Sequence, residues 1–151
     1  MIKKHIYLAA PLSKEADRER NMKLATMLRA EGYTVEMPQE FGVYQLEIAK
    51  GRDPVEIQKS FVKMDIEAMH RASICLGYMD REKGPSEGMI WEMGYMYSQH
   101  KPTILFNPHD RFKYGTILAY TAYKVADEGA LLQTLKWLSK QEEGSAWDKW
   151  R

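Results

Sequence analysis

Glu92 stands in a stretch that is otherwise apolar from Met89 to Tyr97. A carboxylate in such surroundings needs a reason, because an unpaired buried charge is costly. Pro85 and Gly88 punctuate a loop just before it, and Ser86 is a good helix N-cap, so Glu92 falls just past the first turn of a helix. The partial positive charge of that helix end favours an ionised side chain, and an ionised, half-desolvated carboxylate there is a candidate nucleophile. Asp65 is a second carboxylate of interest. It sits four residues after Phe61 and four before Met69, at the edge of an apolar helical stripe, where it can point into a crevice or pair with a surface cation. Tyr7 lies within an apolar run, where its phenol needs a partner or serves as core packing. Ser86 and Ser13 read first as helix caps, although a helix start also makes an anion site. Gly84-Pro85-Ser86-Glu87-Gly88 is neither a Walker loop nor a dinucleotide fingerprint, lacking the lysine of one and the glycine spacing of the other.

The chain has 151 residues, enough for one domain with a real core. Residues 1–141 are expected to form that domain and 142–151 a polar tail carrying Trp147 and Trp150. Twenty-two basic and 21 acidic residues give a net charge of +1, which points to neither a nucleic-acid surface nor an acidic partner. No apolar run approaches a membrane span, and the segment before Pro11 is too short for a signal peptide. Cys75, the single cysteine, cannot form an internal disulfide and reads as a small core residue, in keeping with a reducing, cytoplasmic home. The four histidines are scattered, and no Cys/His spacing suggests a metal.

The elements that must position these groups alternate. Residues 6–10 read as a buried strand ended by Pro11. A helix capped by Ser13 runs to Ala30, with Leu24, Met27 and Leu28 inward and Gly32 as its stop. Residues 33–37 form a second strand. Residues 39–54 show no strong period and read as a long loop carrying Phe41 and Tyr44; such loops are often functional. A helix over 55–69 with Ile57, Phe61, Met64 and Ala68 inward precedes a third strand at 73–79. The Glu92 helix, a fourth strand at 102–106, a loop over 107–116, a fifth strand within 120–125 and a last helix over 128–140 complete the chain. Strands joined by helical crossovers predict a doubly wound parallel sheet of about five strands with helices on both faces. Ligands bind such sheets beyond the carboxyl ends of the strands, which gathers the segments after strands one to four around one crevice.

Three segments carry a family resemblance. Ile6-Tyr7-Leu8-Ala9-Ala10-Pro11, Asp65 on a helix before a strand, and Ser86-x-Gly88-x-x-Trp91-Glu92-Met93-Gly94-Tyr95 followed by Lys101-Pro102 resemble the nucleoside 2-deoxyribosyltransferase family in order and spacing over roughly the first 106 residues. The resemblance implies a flavodoxin-like sheet, homo-oligomers built from dimers, a role in nucleotide salvage, and cleavage of the N-glycosidic bond of 2'-deoxynucleosides with no cofactor or metal. It makes Glu92 the nucleophile, Asp65 an aspartate lining the substrate site, and Tyr7 an aromatic that positions nucleophile or sugar. Ser86, Gly88, Ser13, Pro11, Phe41 and Trp91 become candidate substrate contacts, with Thr116 contributed across a subunit boundary. One departure matters. Transferases of the family usually carry aspartate where this chain has Ser86, and Pro85-Ser86-x-Gly88 resembles the related 2'-deoxynucleoside 5'-monophosphate N-glycosidases, whose serine holds the phosphate. Lys14 and Arg18 could add phosphate contacts in that case.

Three functions follow as expectations. The first is base exchange through a covalent Glu92–deoxyribosyl intermediate, in two displacements that retain configuration, with Asp65 as acid or base-orienting group. The second is hydrolysis of 2'-deoxynucleoside 5'-monophosphates. The third is a non-catalytic nucleotide-binding module. Purine or pyrimidine preference is not encoded in any of these residues.

Overall fold

The computed structural model describes residues 1–79, 84–109, 117 and 121–144. Five strands, β1 (His5–Ala9), β2 (Thr34–Glu36), β3 (Ile74–Tyr78), β4 (Thr103–Phe106) and β5 (Tyr123–Val125), form one sheet in the order β2-β1-β3-β4-β5, and every neighbouring pair is parallel. The chain first builds outward from β1 to β2, then crosses back to place β3 on the other side of β1. The switch point of the sheet, where a doubly wound fold opens a crevice, therefore lies between β1 and β3. The expected class and strand count match this architecture.

Strand alternation divides the core into two layers. Ile6, Leu8, Ile74, Leu76, Ile104 and Phe106 point to one face, where they meet Leu24 and Leu28 of α1 (Glu15–Ala30) and Leu131, Leu135 and Leu138 of α6 (Glu128–Leu138). Tyr7, Ala9, Cys75 and Leu105 point to the other, against Ala68 and Met69 of α4 (Pro54–Arg71) and Met89, Met93 and Met96 of α5 (Glu87–Ser98). Burial on both faces is why these strands read as continuous apolar runs. The methionines of α5 are core, and Cys75 is fully buried among them.

Two expectations are corrected. Ser13 does not cap α1: the N-cap is Lys14, with no side-chain cap bond. The Ser13 carbonyl is held by Arg18, so the helix begins a residue later, with Glu15 and Asp17 opposing its dipole. Residues 39–54 are not a plain loop. Pro38 opens α2 (Pro38–Phe41), Gly42 ends it, and α3 (Tyr44–Ala49) follows. Helices of four and six residues are too short to display a 3.6-residue period. Gly42 has φ 148° and a Cβ there would stand 2.7 Å from the Phe61 ring, so both conformation and space demand glycine. Asp53, whose side chain accepts from the Glu56 N–H, caps α4.

Two contacts fix α5 and α4 against the sheet. Lys101 Nζ donates to the Met69 and His70 carbonyls at 2.7 and 3.0 Å, capping the end of α4 from the start of β4. Gly77 in β3 faces α5, and a Cβ there would meet Met93 Sδ at 2.6 Å. Gly77→Ala should therefore cost about 1–3 kcal/mol through overpacking. Met93→Ala, destabilising alone, should give back part of that loss when combined with it, which a denaturation double-mutant cycle would measure.

Candidate active site

The site is assembled from three elements that sequence separates widely. Tyr7 comes from β1, Asp65 from the middle of α4 and Glu92 from the second turn of α5. Ser86 caps α5, accepting from the Met89 N–H at 3.3 Å, as its sequence position requires. Gly88 lies one turn before Glu92, and a Cβ there would stand 4.0 Å from Glu92 Oε1. The glycine leaves the flank of the carboxyl open.

Tyr7, Glu92 and Asp65 interact as a group. The Glu92 carboxyl is pushed up to about 8, first by burial and then by the charge of Asp65, while the Tyr7 hydroxyl acts in the opposite direction. Burial alone raises Asp65 to about 6. The Tyr7 phenol is driven above its ordinary range by burial, then by Glu92 and Asp65. Its hydroxyl is buried without a hydrogen bond of ordinary geometry, yet it is near enough to Glu92 to favour the ionised carboxylate. Burial raises the Glu92 carboxyl even at the head of a helix, whose dipole is worth about 0.3–1 kcal/mol at an exposed site.

A cavity of about 200 Å³ opens beside Asp65, with one rim segment carrying Leu12 and Ser13 and a second carrying Pro38, Gly42 and Tyr44. Phe61 and Gln45 complete it, and no lysine or arginine is among its described lining residues. Phe41 is half-buried against the same core layer as Tyr7. Pro11 is buried and precedes the Leu12–Ser13 rim. Trp91 stands apart from the cavity: it is 57 % exposed and stacks on Tyr95 with ring centroids 5.0 Å apart. Tyr95 in turn stacks on His70 and hydrogen-bonds its ring at 2.8 Å. Arg18 donates to the Leu12 and Ser13 carbonyls at 3.0 and 2.8 Å, so its guanidinium is engaged in holding the rim. Thr116, Asp80, Trp147 and Trp150 lie outside the described residues. The described residues contain no helix long and apolar enough to cross a membrane.

A sequence profile described as nucleoside 2-deoxyribosyltransferase matches residues 6–135. The chain belongs to that family. Among solved structures, a 2-deoxyribosyltransferase from Bacillus psychrosaccharolyticus superposes with a TM-score of 0.62 at 22% identity, covering 94% of this chain and 95% of that one. A CMP N-glycosidase from Clostridium botulinum superposes with a TM-score of 0.56 at 16% identity, covering 87% of this chain and 98% of that one. At these identities the superpositions establish the deoxyribosyltransferase fold. No curated protein matches the sequence significantly.

Sequence reasoning missed Gln45 and the Gly42–Phe61 contact in the cavity wall; the positive φ of Gly42 had no signature beyond glycine itself. Both carboxyls are raised from ordinary values of 3.8 and 4.5, so the folded protein binds their protons more tightly than the unfolded chain. Their stabilising effect is complete below those ordinary values and is lost as pH rises through about 6 and about 8. Glu92→Gln should therefore be more stable than the parent at pH 8–9, on the order of 2 kcal/mol or roughly 4–8 °C in Tm. The difference should vanish near pH 4, as read by thermal melts across pH.

Proposed function

We propose that this protein is a nucleoside 2-deoxyribosyltransferase, exchanging bases between 2'-deoxynucleosides. The observation that carries the reading is the grouping of Glu92, Asp65 and Tyr7 at the switch-point crevice, where burial raises both carboxyls. Substrate binding moves the Glu92 proton to Asp65. The Glu92 carboxylate then attacks C1' of the deoxyribose. A C1'–O ester bond forms, the C1'–N bond breaks, its electron pair leaves with the base, and Asp65 delivers the proton to that base. An acceptor base attacks C1' from the opposite side, gives its proton to Asp65, and returns Glu92 as carboxylate. Two inversions retain the configuration. Tyr7 orients Glu92 and donates to it once it is ionised. The cavity beside Asp65 receives part of the substrate, closed by Phe41 and Tyr44.

A nucleoside, rather than a nucleotide, is favoured by the absence of Lys and Arg from the described cavity lining and by the engagement of Arg18 with backbone carbonyls. One observation favours hydrolysis of 2'-deoxynucleoside 5'-monophosphates instead: Ser86 accepts at its oxygen from Met89 N–H and keeps its hydroxyl proton to donate, at the positive end of α5. A homo-oligomer is also proposed, with a second copy covering the outer surfaces of α4 and α5, where Val62 and Trp91 are 58 % and 57 % exposed.

Product analysis separates the readings. Deoxyinosine incubated with free cytosine or adenine should yield the new deoxynucleoside. Deoxynucleoside 5'-monophosphates alone should be left intact, and release of free base with deoxyribose 5-phosphate only from them would replace exchange by hydrolysis. Glu92→Gln should lower kcat by about three orders of magnitude or more, and Asp65→Asn by roughly 100–10,000-fold. Unchanged turnover in Glu92→Gln would sink the covalent mechanism.

A further inference from the structure

The rim formed by residues 11–13 is held in an unusual way. Three successive backbone carbonyls are each taken by a side chain of α1. Asn21 Nδ2 donates to the Pro11 carbonyl at 2.8 Å, and Arg18 Nη1 donates to the Leu12 carbonyl at 3.0 Å and the Ser13 carbonyl at 2.8 Å. Arg18 and Asn21 are three residues apart and so share one helix face. Asn21 is 5 % exposed, one of few buried polar groups among the described residues. Its Nδ2 also donates to Gln39 Oε1 at 3.1 Å, and Gln39 Nε2 donates to the Arg18 carbonyl at 2.9 Å.

Gln39 is the link that gives this network its meaning. It lies in α2 next to Pro38, which lines the second rim segment of the cavity. One connected set of hydrogen bonds therefore ties the β1–α1 rim, carrying Leu12 and Ser13, to the β2–α2 rim, carrying Pro38 and Gly42. A buried amide left unsatisfied costs about 1–3 kcal/mol, and a connected network fixes its members more rigidly than separate pairs. An apolar side chain at position 21 would leave the Pro11 carbonyl and the Gln39 amide oxygen without their donor. What the network adds is a fixed separation between two backbone segments that flank Asp65.

We propose that Asn21, Gln39 and Arg18 are positioning residues that set the width of the substrate cavity by cross-tying its two rims. They act through the backbone of Pro11–Ser13 and of Pro38 and do not touch the reacting atoms. This inference rests on the base-exchange reading for its substrate. Binding preorganised in this way appears mainly in KM, because the wall meets ground state and transition state alike, while the carboxyl chemistry at Glu92 and Asp65 is untouched.

The experiment is steady-state kinetics with deoxyinosine and adenine on Asn21→Ala, Gln39→Ala, Arg18→Met and Arg18→Lys, at a temperature well below the lowest Tm of the set. Asn21→Ala and Gln39→Ala should each raise KM for deoxyinosine about 5- to 20-fold, keep kcat within about threefold, and leave the pH profile of kcat unshifted. The double variant should lose less than the product of the two single losses. Arg18→Lys should recover part of the KM lost in Arg18→Met. Variants that remain folded with KM unchanged would overturn the inference, as would losses confined to kcat. If Asn21→Ala fails to fold, Gln39→Ala and the Arg18 pair decide by the same criteria. A parent protein that neither exchanges bases nor hydrolyses would overturn the functional reading and this inference with it. A parent that is active beside unaltered variants would overturn this inference alone.

Discussion

Two carboxyls and a phenol are withdrawn from water together at the carboxyl edge of the sheet, and most of the molecule around them serves that arrangement. Burial and the neighbouring Asp65 both disfavour the charge on Glu92, and the Tyr7 hydroxyl offsets only part of that. Such a cluster persists only if the scaffold over-determines it. Here the scaffold does so with three independent supports. β1 is hydrogen-bonded on both sides, by β2 and β3. α5 is pressed against Gly77 through Met89 and Met93. α4 is held at its end by the Lys101 ammonium.

Under the proposed base exchange, the same cluster is what lets a small fold act on a demanding bond. In that proposal a carboxyl that is neutral at rest is stable in an apolar setting, and a neighbour that takes its proton once substrate is bound converts it into a nucleophile. The pair thereby supplies nucleophile and acid from one proton. Ser86 and Gly88 contribute at the approach to α5, one by ending the loop cleanly and the other by leaving space beside Glu92.

Much of this was legible in the residues. Glu92 is conspicuous because nothing around it is polar, and Asp65 because it sits at the border of a helical stripe. The alternation of apolar runs with helical periods is enough for the parallel sheet and its crevice. The misreadings have physical causes. Ser13 looks like a cap by residue type, but its carbonyl is already taken by Arg18. α2 and α3 are shorter than the period that would reveal them. The upward pull of burial on Glu92 gave no signal, because a helix dipole can be read from sequence position whereas the degree of desolvation depends on packing across three elements. Asn21 and Gln39 gave no signal at all, since their partners are backbone carbonyls 10 and 21 residues away and a side chain 18 residues away.

Cys75 carries one last consequence. It is the chain's single thiol, lies fully buried in the middle strand on the same side of the sheet as Tyr7, and is pushed up by burial and then by the Glu92 charge. A thiol so shielded reacts with an alkylating reagent only when the sheet and α5 separate. The protein thus contains a single built-in chemical clock whose rate reports how often the ground beneath Glu92 opens to solvent.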